Sequence, residues 1–279
     1  MITDNTHCQV GIDWFEYTTT EALFPAQFEE NGVEKKRGMF GYKRAMKFPD
    51  GRWILREGQT PGMGTHVIMS SGCLSEMDRR YGLSPFEIVY KLSQDSRCTR
   101  IDVALDILDG CLDFDQLALE LKHGYANTRA VEMQRFRDLA GSGDTIYVGS
   151  AASKKRLRIY DKAAETRHEG VLWTRVELQS RHKYAQATVK KITADGFSAA
   201  VIPALISGFC DFPSNEEWKQ VFYALPVKVT VPRQQSDNVL DWLIRQAAPA
   251  LARLQHDKPH LKAYAVFNRA YNENFNALE

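Results

Sequence analysis

The sequence predicts an α+β fold, in which an antiparallel sheet with packed helices is followed by a helical C-terminal segment. Strand-like runs with turn signals fill most of the N-terminal part, and a second group of strands lies between 97 and 181. Helical patterns dominate after Arg181. Runs of strands followed by runs of helices favour this architecture over a doubly wound parallel sheet.

The N-terminal strands are indicated by composition and by turn residues. VGIDWFEYTT is rich in β-branched and aromatic residues, and GTHVIMSSGC has the same character. Between them, FPDGRWIL places an Asp-Gly pair between two apolar stretches, which is typical of a hairpin.

Two helices are indicated by their end signals. In SPFEIVYKLSQ, Ser84 stands at the N-cap, Pro85 at the first helical position and Glu87 where a capping box needs it. In DFDQLALELKHG, Asp113 is the predicted N-cap and Gly124 the predicted end of the helix.

We expect three regions along the chain. Residues 1–212 form the sheet domain, residues 213–236 form a polar link that contains proline, and residues 237–279 form a helical segment. In the last region Asp237 is a good N-cap, and Leu240, Leu243 and Leu251 keep helical spacing.

The bulk composition is that of an ordinary globular protein. The 279 residues suffice for one large domain with or without a small appendix. A net charge of +1 indicates no partner class, so any nucleic-acid affinity must come from local patches. The five cysteines form no CxxC pair, and no apolar run approaches the roughly 18 residues that cross a bilayer. We therefore expect a cytoplasmic protein with reduced thiols and no membrane partner.

Three strands in the middle of the chain each combine an apolar face with an ionisable face. They are TRIDVALDI, LRIYDK and WTRVELQSR, and side chains alternate between the two faces of a strand. If the strands share one sheet, their ionisable faces bring together a single group of side chains. Its members are Arg100, Asp102, Asp106, Arg158, Tyr160, Lys162, Arg175 and Glu177.

This group of side chains suits metal-assisted chemistry on a phosphate. Carboxylates are ligands that Mg²⁺ or Mn²⁺ prefers, and we expect Asp102, Asp106 and Glu177 to supply them. A tyrosine has an ordinary pKa of about 10, and nearby cations and a metal favour its phenolate. Tyr160 therefore becomes the predicted nucleophile on a DNA phosphodiester, with Arg158 and Lys162 beside it.

Positive charge surrounds the predicted nucleophile. Between 150 and 191 the chain has eleven lysines and arginines against four acidic residues. Such a local excess is typical of a phosphate-binding surface. The predicted DNA-binding residues are Lys154, Lys155, Arg156, Arg175 and Arg181.

In this order, TRIDVALD, TIYVGSAASKKRLRIYDKAAE and WTRVELQSR resemble the replication initiation factor (Rep_trans-type) family of rolling-circle replication initiators and related DNA relaxases. The resemblance implies that Tyr160 nicks one strand of double-stranded origin DNA and stays joined to the 5′ phosphate. It also implies that Asp102, Asp106 and Glu177 occupy the acidic positions of a Mg²⁺ or Mn²⁺ site. The turn GSAASKKR departs from the family's usual GSR-type turn.

Several alternatives stay open at this point. Tyr160 would be an ordinary strand tyrosine if Asp102 and Asp106 merely paired with Arg100, and Glu177 with Arg175 or Arg181. Tyr147, on the adjacent strand TIYVGS, is the second candidate nucleophile. A relaxase of a conjugative element would use the same chemistry, and a non-catalytic DNA-binding regulator would keep only the binding.

Further partners follow from the same reasoning. PGMGTH lacks the GK[ST] ending of a phosphate loop, so a host helicase would have to open the origin. The nicked single strand is a second expected ligand, and a homodimer would suit two strand transfers in each cycle.

Overall fold

The structure is a computed structural model of the chain that describes residues 7–20, 32–108, 110–137, 143–168, 170–194, 201–223 and 228–230. Its strands are β1 His7–Thr19, β2 Val33–Glu34, β3 Tyr42–Lys47, β4 Trp53–Gly58, β5 Thr65–Ser70, β6 Arg97–Leu108, β7 Asn127–Thr128, β8 Met133–Arg137, β9 Asp144–Val148, β10 Lys155–Asp161, β11 Trp173–Arg181, β12 Cys210–Asp211 and β13 Lys228–Thr230. Its helices are α1 Ser71–Tyr81, α2 Pro85–Gln94, α3 Phe114–His123, α4 Lys162–Thr166, α5 Lys183–Thr193, α6 Val201–Ser207 and α7 Glu216–Phe222.

A single large sheet organises the described part of the chain. Its strand order is β2-β3-β4-β5-β1-β6-β11-β10-β9-β8, and every neighbouring pair in this order is antiparallel. The short strand β13 adds to β1 in parallel, and β7 pairs with β12 in a separate antiparallel ribbon. The predicted α+β class with an antiparallel sheet is confirmed.

One face of the central strands forms the hydrophobic core. The alternation of apolar residues in β1, β6, β10 and β11 places them all on this face, where α2, α5 and α6 pack. Thr188 of α5 donates a hydrogen bond to Ser180 of β11, 3.2 Å away, which fixes this helix on that face. The fully or almost fully buried strand residues are Val10, Ile12, Ile101, Val103, Leu105, Leu157, Ile159, Val176 and Leu178.

A bulge in β1 changes which residues face the core. The pairing of β1 with β6 shifts between Ile12 and Trp14, so Asp13 is the extra residue. Before the bulge, Val10 and Ile12 are buried; after it, Phe15 and Tyr17 are buried instead. Asp13 and Trp14 are consecutive half-buried residues on the opposite face, although simple alternation groups Trp14 with the apolar residues.

The sequence signals for local structure are confirmed. Ser84 and Glu87 form a full capping box at the start of α2. Asp113 accepts hydrogen bonds from the backbone at the start of α3, and Gly124 ends that helix in the left-handed conformation. The Asp-Gly turn joins β3 to β4 as a hairpin, with Gly51 at φ 87°.

The range predicted as a polar link contains regular structure. Residues 213–236 include α7 and β13, and compactness assigns both elements to the first of two units, which comprises residues 1–76 and 83–233. The reason is that Trp218 of α7 is fully buried against Phe212, and its indole N–H donates to Asp211 at 2.9 Å. The polar composition of residues 213–236 does not indicate that one large aromatic residue, Trp218, is buried.

The second unit comprises residues 77–82 and 234–279. Of these, the described residues form the end of α1, where the N–H of Gly82 donates to the carbonyl of Asp78. The predicted helical segment 237–279 lies outside the described residues. No helix in the described ranges has the length and apolar character needed to cross a membrane.

The burial of Trp218 leads to a stability prediction. We expect Trp218→Ala to lower the free energy of unfolding by about 3–5 kcal/mol, because it leaves a large cavity under α7. Chemical denaturation followed by circular dichroism measures this change. Leu119→Ala is the matched control, since this side chain is 54% exposed and its loss should change stability by less than about 0.5 kcal/mol. Equal effects of the two substitutions would contradict the packing of α7.

Candidate active site

The candidate active site is the face of the central sheet opposite the helices that cover the core. Two rows of directly opposed residues cross it. One row runs from Asp106 through Arg175 to Tyr160, and the other from Ala104 through Glu177 to Arg158. The antiparallel register therefore brings together ionisable side chains that lie up to about 70 positions apart in sequence.

Tyr160 lies near the end of β10 and is 2% exposed. The guanidinium of Arg158 lies 3.6 Å from the centre of its ring, and the amine of Lys162 lies 5.5 Å away. Burial raises the pKa of the Tyr160 hydroxyl above its ordinary value, and the opposing effect of Arg175 is smaller. The protein residues by themselves therefore do not favour the phenolate of Tyr160, in contrast to the expectation from the sequence.

Lys162 reaches Tyr160 from a helix, whereas alternation predicts it on the strand. The reason is Asp161, whose carboxylate accepts a hydrogen bond from the N–H of Ala164 at 2.9 Å and caps α4. The strand ends there, and Lys162 becomes the first helical residue. Glu165, one turn later, pairs with Lys162 at 2.5 Å and with Arg158 at 2.9 Å. Sequence reasoning missed Glu165.

Two of the predicted metal ligands form ion pairs with arginines. Asp102 pairs with Arg100 at 2.5 Å, which is the alternative left open for it. Both oxygens of Asp106 accept hydrogen bonds from Arg175, at 2.7 and 2.8 Å, and Trp173 donates a further one at 2.7 Å. Both carboxylates are thus satisfied by protein donors, whereas the sequence predicts them as metal ligands.

Arg175 points into the protein, in contrast to the expected DNA contact. Besides Asp106 it binds Asp13, with 2.5 Å between its Nη1 and Oδ1 of Asp13. Its guanidinium is therefore held between two carboxylates, one from β1 and one from β6. This geometry makes Arg175 a residue that positions the acidic groups.

Glu177 is the unpaired carboxylate of the site. It is 8% exposed, and its side chain has no ion pair or hydrogen bond to any described residue. Burial, together with the charges of Asp13 and Asp102, raises its pKa to about 8. The neighbouring cations, Arg158 and Arg175, do not offset this effect.

Asp13 was missed by sequence reasoning, although the signal was present. Counting alternately from Val10 and Ile12 puts Gly11 and Asp13 on the polar face of β1. The bulge keeps Asp13 there while the next residues change faces. Three acidic residues, Asp13, Asp102 and Glu177, therefore influence one another electrostatically.

The residues present fit a divalent cation in donor chemistry, because they are carboxylates. A side chain added at Gly11 would meet no atom within 4 Å, and Gly11, Ala104 and Glu177 are opposed across three strands. The space above Gly11 on this face is therefore open. Within the described ranges, no three His, Cys, Asp or Glu side chains already surround a common point as ligands would. A buried carboxylate with a raised pKa is nevertheless a group that a cation would stabilise.

The other basic residues predicted to bind DNA lie at or near the turn that precedes β10. Arg156 lies on the site face, where its guanidinium stacks 3.8 Å from the ring centre of Tyr147 and donates to the carbonyl of Gly149 at 3.1 Å. Arg181 donates to the carbonyl of Ala151 at 2.9 Å and supports the same turn. Lys154 and Lys155 lie at the turn itself, where β10 begins.

Tyr147, the second candidate nucleophile, also lies on this face. It stands directly opposite Arg158 on the neighbouring strand β9, and Phe136 packs edge-on against it. Tyr147 is half-buried, and the arginines beside it are Arg156 and Arg158. Tyr160, by contrast, has both Arg158 and Lys162 over its ring. It also stands at one end of the row that continues through Arg175 to Asp106.

The fold is that of a rolling-circle replication initiator. It is similar to the solved structure of the rolling circle replication initiator protein from Geobacillus stearothermophilus, with a TM-score of 0.64 and 21% sequence identity over 76% of this chain and 91% of that one. No curated protein matches the sequence significantly. The family model of the replication initiation factor, Rep_trans, matches residues 96–264. The chain belongs to the replication initiation factor family, and the predicted family resemblance is confirmed.

Proposed function

We propose that this protein initiates rolling-circle replication by nicking and joining origin DNA, with Tyr160 as the nucleophile. The observation that carries the proposal is the placement of Tyr160 between two cations at one end of a row that leads to buried carboxylates. Cations beside a nucleophile attract and neutralise a phosphate. Membership in the replication initiation factor family supports the same activity.

The proposed reaction is a transesterification. The phenol of Tyr160 loses its proton to water, and its oxygen forms a bond to phosphorus. The bond from phosphorus to the 3′ oxygen breaks, and that oxygen leaves with the electron pair and takes a proton from water to become a hydroxyl. Arg158 and Lys162 bind the non-bridging oxygens, where negative charge is concentrated. The product is a 5′-phosphotyrosyl enzyme, and the free 3′ hydroxyl is available to prime synthesis.

A divalent cation, Mg²⁺ or Mn²⁺, would be held by Asp13, Asp102 and Glu177. Asp13 joins the predicted ligands Asp102 and Glu177 because its charge, with that of Asp102, raises the pKa of Glu177. Asp102 and Asp106 each have both oxygens bound by an arginine, so either would exchange an arginine for the cation. When bound, the cation would supply charge neutralisation at the phosphoryl group. Arg175 and Arg100 would keep the carboxylates in place.

The proposed partners are double-stranded origin DNA and the nicked single strand. Lys154, Lys155, Arg156 and Arg181 lie at or beside the turn that precedes β10, so they form a basic approach to Tyr160. A host helicase and a homodimer remain part of the proposal. A relaxase of a conjugative element would act through the same residues, and the DNA supplied by the element distinguishes the two roles.

Covalent capture tests the proposal. The protein is mixed with supercoiled DNA from its own element, with Mg²⁺ or Mn²⁺ and separately with a chelator, and is then denatured. We expect nicked circles and a protein–DNA adduct only with the cation. Tight binding without an adduct under either cation would instead establish the non-catalytic regulator.

A further inference from the structure

A groove with no assigned role lies beside the turn that precedes β10. Its volume is about 950 Å³. Residues 126–132 form one side, residues of the turn at 149–155 form another, and Tyr184, Gly208 and Phe209 complete the lining. All of these residues belong to the first unit. The groove is distinct from the candidate active site, because Tyr160 and the acidic residues do not line it.

Hydrogen bonds hold the walls of this groove in place. Thr128 donates from its hydroxyl to the carbonyl of Phe209 at 3.1 Å, and β7 pairs with β12 immediately beyond. On the other side, Arg156 and Arg181 each bind a carbonyl of the turn. The groove is therefore formed before any ligand arrives, which lowers the entropy cost of binding.

Three cations that line the groove form no ion pair with a described residue. Among the described residues, no carboxylate pairs with Lys154, Lys155 or Arg129, and Glu132, which also lines the groove, accepts a hydrogen bond from Gln134 instead. Lys155 is half-buried, and both its burial and the nearby Lys191 lower the pKa of its amine. An anion bound here would relieve both effects, because it would supply the missing opposite charge.

Aromatic rings accompany these cations. Tyr184 is 39% exposed at the start of α5, and Lys183 lies 5.3 Å from its ring. Phe209 lies below the amine of Lys155, with 5.0 Å between the amine and the ring centre. Cations that track a backbone and rings on which bases stack are the two features of surfaces that bind single-stranded nucleic acid.

The groove also lies within reach of the nucleophile. Lys155 stands five positions before Tyr160 on β10, which corresponds to about 17 Å at roughly 3.3 Å per residue. Arg156 and Arg158 lie between the two places on the site face, whereas Lys155 shares the helix-covered face with Leu157 and Ile159. A strand joined at Tyr160 would therefore follow β10 and pass around the turn at 149–155 to enter the groove.

We propose that this groove binds a segment of single-stranded DNA next to the nick, with Tyr184 and Phe209 stacking on bases and Lys154 and Lys155 contacting phosphates. The assignment of the occupant as the nicked strand rests on the proposed function. The binding itself does not require nicking. It would keep the cut strand on the protein between the two strand transfers.

Fluorescence anisotropy with a labelled oligo-dT of 12 nucleotides tests the groove, with full-length protein. We expect Tyr184→Leu to weaken binding about 5- to 100-fold, because base stacking on an aromatic ring is lost. Lys155→Met should weaken binding and lower the slope of log affinity against log salt by about 0.7. Tyr90→Leu and Lys43→Met are matched controls on exposed positions of α2 and β3, and both should bind as the unchanged protein does.

The possible results distinguish the groove proposal from the proposed nicking activity. Equal affinity of Tyr184→Leu and Tyr90→Leu for the oligonucleotide would overturn the groove, provided that circular dichroism shows both folded. If Tyr184→Leu weakened the binding of a duplex of the same length as much as the binding of the single strand, the groove proposal would also be overturned. Failure of covalent capture with intact groove binding would overturn the nicking activity alone.

A separate observation concerns Glu165. Its two oxygens bind Arg158 and Lys162 at 2.9 and 2.5 Å, and these are the two cations that lie over the ring of Tyr160. The carboxylate therefore occupies the position at which both cations would bind an anion. Arg158 Nε is buried without a hydrogen-bond partner, so this guanidinium has a donor to spare.

We infer that Glu165 is an internal counter-ion that the scissile phosphate displaces from Arg158 and Lys162. This role deepens the proposed function and depends on it. In the free protein, Glu165 holds both cations in place. The phosphate then replaces the charge-assisted hydrogen bonds of Glu165 with its own. Glu165 is thus a positioning residue, and its carboxylate lowers the affinity for DNA in the free protein.

Single-turnover nicking of an origin oligonucleotide tests this inference, because it separates affinity from rate. We expect Glu165→Gln to lower the apparent Kd about tenfold, the equivalent of one charge-assisted hydrogen bond, and to leave the rate at saturation within about threefold. Glu216→Gln removes the same charge at an exposed position of α7 and should change neither quantity. Weaker binding, or a rate lowered at saturation, would show that Glu165 is needed for the cations to act and would overturn the inference. Absence of nicking in the unchanged protein would overturn the proposed function instead.

Discussion

Tyr160→Phe removes the covalent protein–DNA adduct and leaves DNA binding within about twofold. The phenolic oxygen is the atom that bonds to phosphorus, so its loss removes the reaction itself. Phenylalanine keeps the ring that packs under Arg158, and the fold should tolerate the change because one buried hydroxyl contributes only about 1 kcal/mol. The measurement is adduct formation with supercoiled DNA and Mg²⁺, beside anisotropy with the same DNA.

Tyr147→Phe is the matched control for this experiment. Tyr147 lies on the same face and is also stacked on an arginine, but it is one strand further from the carboxylates. The control should form the adduct at a rate within about threefold of the unchanged protein. If Tyr160→Phe nicks normally and Tyr147→Phe does not, the two tyrosines exchange roles and the proposed mechanism is wrong in its nucleophile.

Glu177→Gln abolishes the response to divalent cations and changes the pH dependence of stability. Without metal, the folded pKa of Glu177 is about 8, well above the value of about 4.5 that an exposed glutamate has. A raised pKa means that the folded state favours the protonated form. The stability that this carboxyl contributes is therefore fully present below about pH 4.5 and is lost as pH rises toward 8.

Two readouts check this prediction. In chelator, the unchanged protein should lose a few kcal/mol of stability between pH 5 and pH 8, since one pKa unit corresponds to about 1.4 kcal/mol, and Glu177→Gln should lose much less. At pH 8, Mg²⁺ or Mn²⁺ should raise the melting temperature of the unchanged protein only, because the variant lacks the ligand charge. Metal-dependent nicking should fall at least 100-fold in the variant.

Glu216→Gln serves again as the control, because it is exposed and should keep both the pH dependence and the metal response. A variant Glu177→Gln that still melts later with Mg²⁺ would show that the ion binds elsewhere. Asp13→Asn is the next substitution to examine in that case, since Asp13 is the remaining acidic group with the largest effect on Glu177.

Local sequence rules predicted much of the site. Period-two alternation placed Asp102, Glu177 and Tyr160 on one face, because successive side chains of a strand point to opposite faces of the sheet. Ser84 and Asp113 began helices where their side chains could accept backbone hydrogen bonds. These features depend on neighbours within a few residues, so they are legible before any fold is known.

Other features depend on contacts between distant parts of the chain. Arg175 was expected at DNA, yet it lies opposite Asp106 in the register of β11 with β6 and also meets Asp13 from β1. Lys162 left the strand because Asp161 capped a helix, a choice between two locally acceptable structures. The range 213–236 looked like a link until Trp218 was found buried.

By itself, the sequence determined the α+β class, the polar and apolar faces of the central strands, the ends of α2 and α3, and the family to which the chain is similar. Only the tertiary structure decided which strands are neighbours and therefore which charges meet. The bulge at Asp13 completed the acidic cluster, and burial reversed the expected shift in the pKa of Tyr160. The physical reason is that desolvation and ion pairing depend on strand register, which residues far apart in sequence establish together.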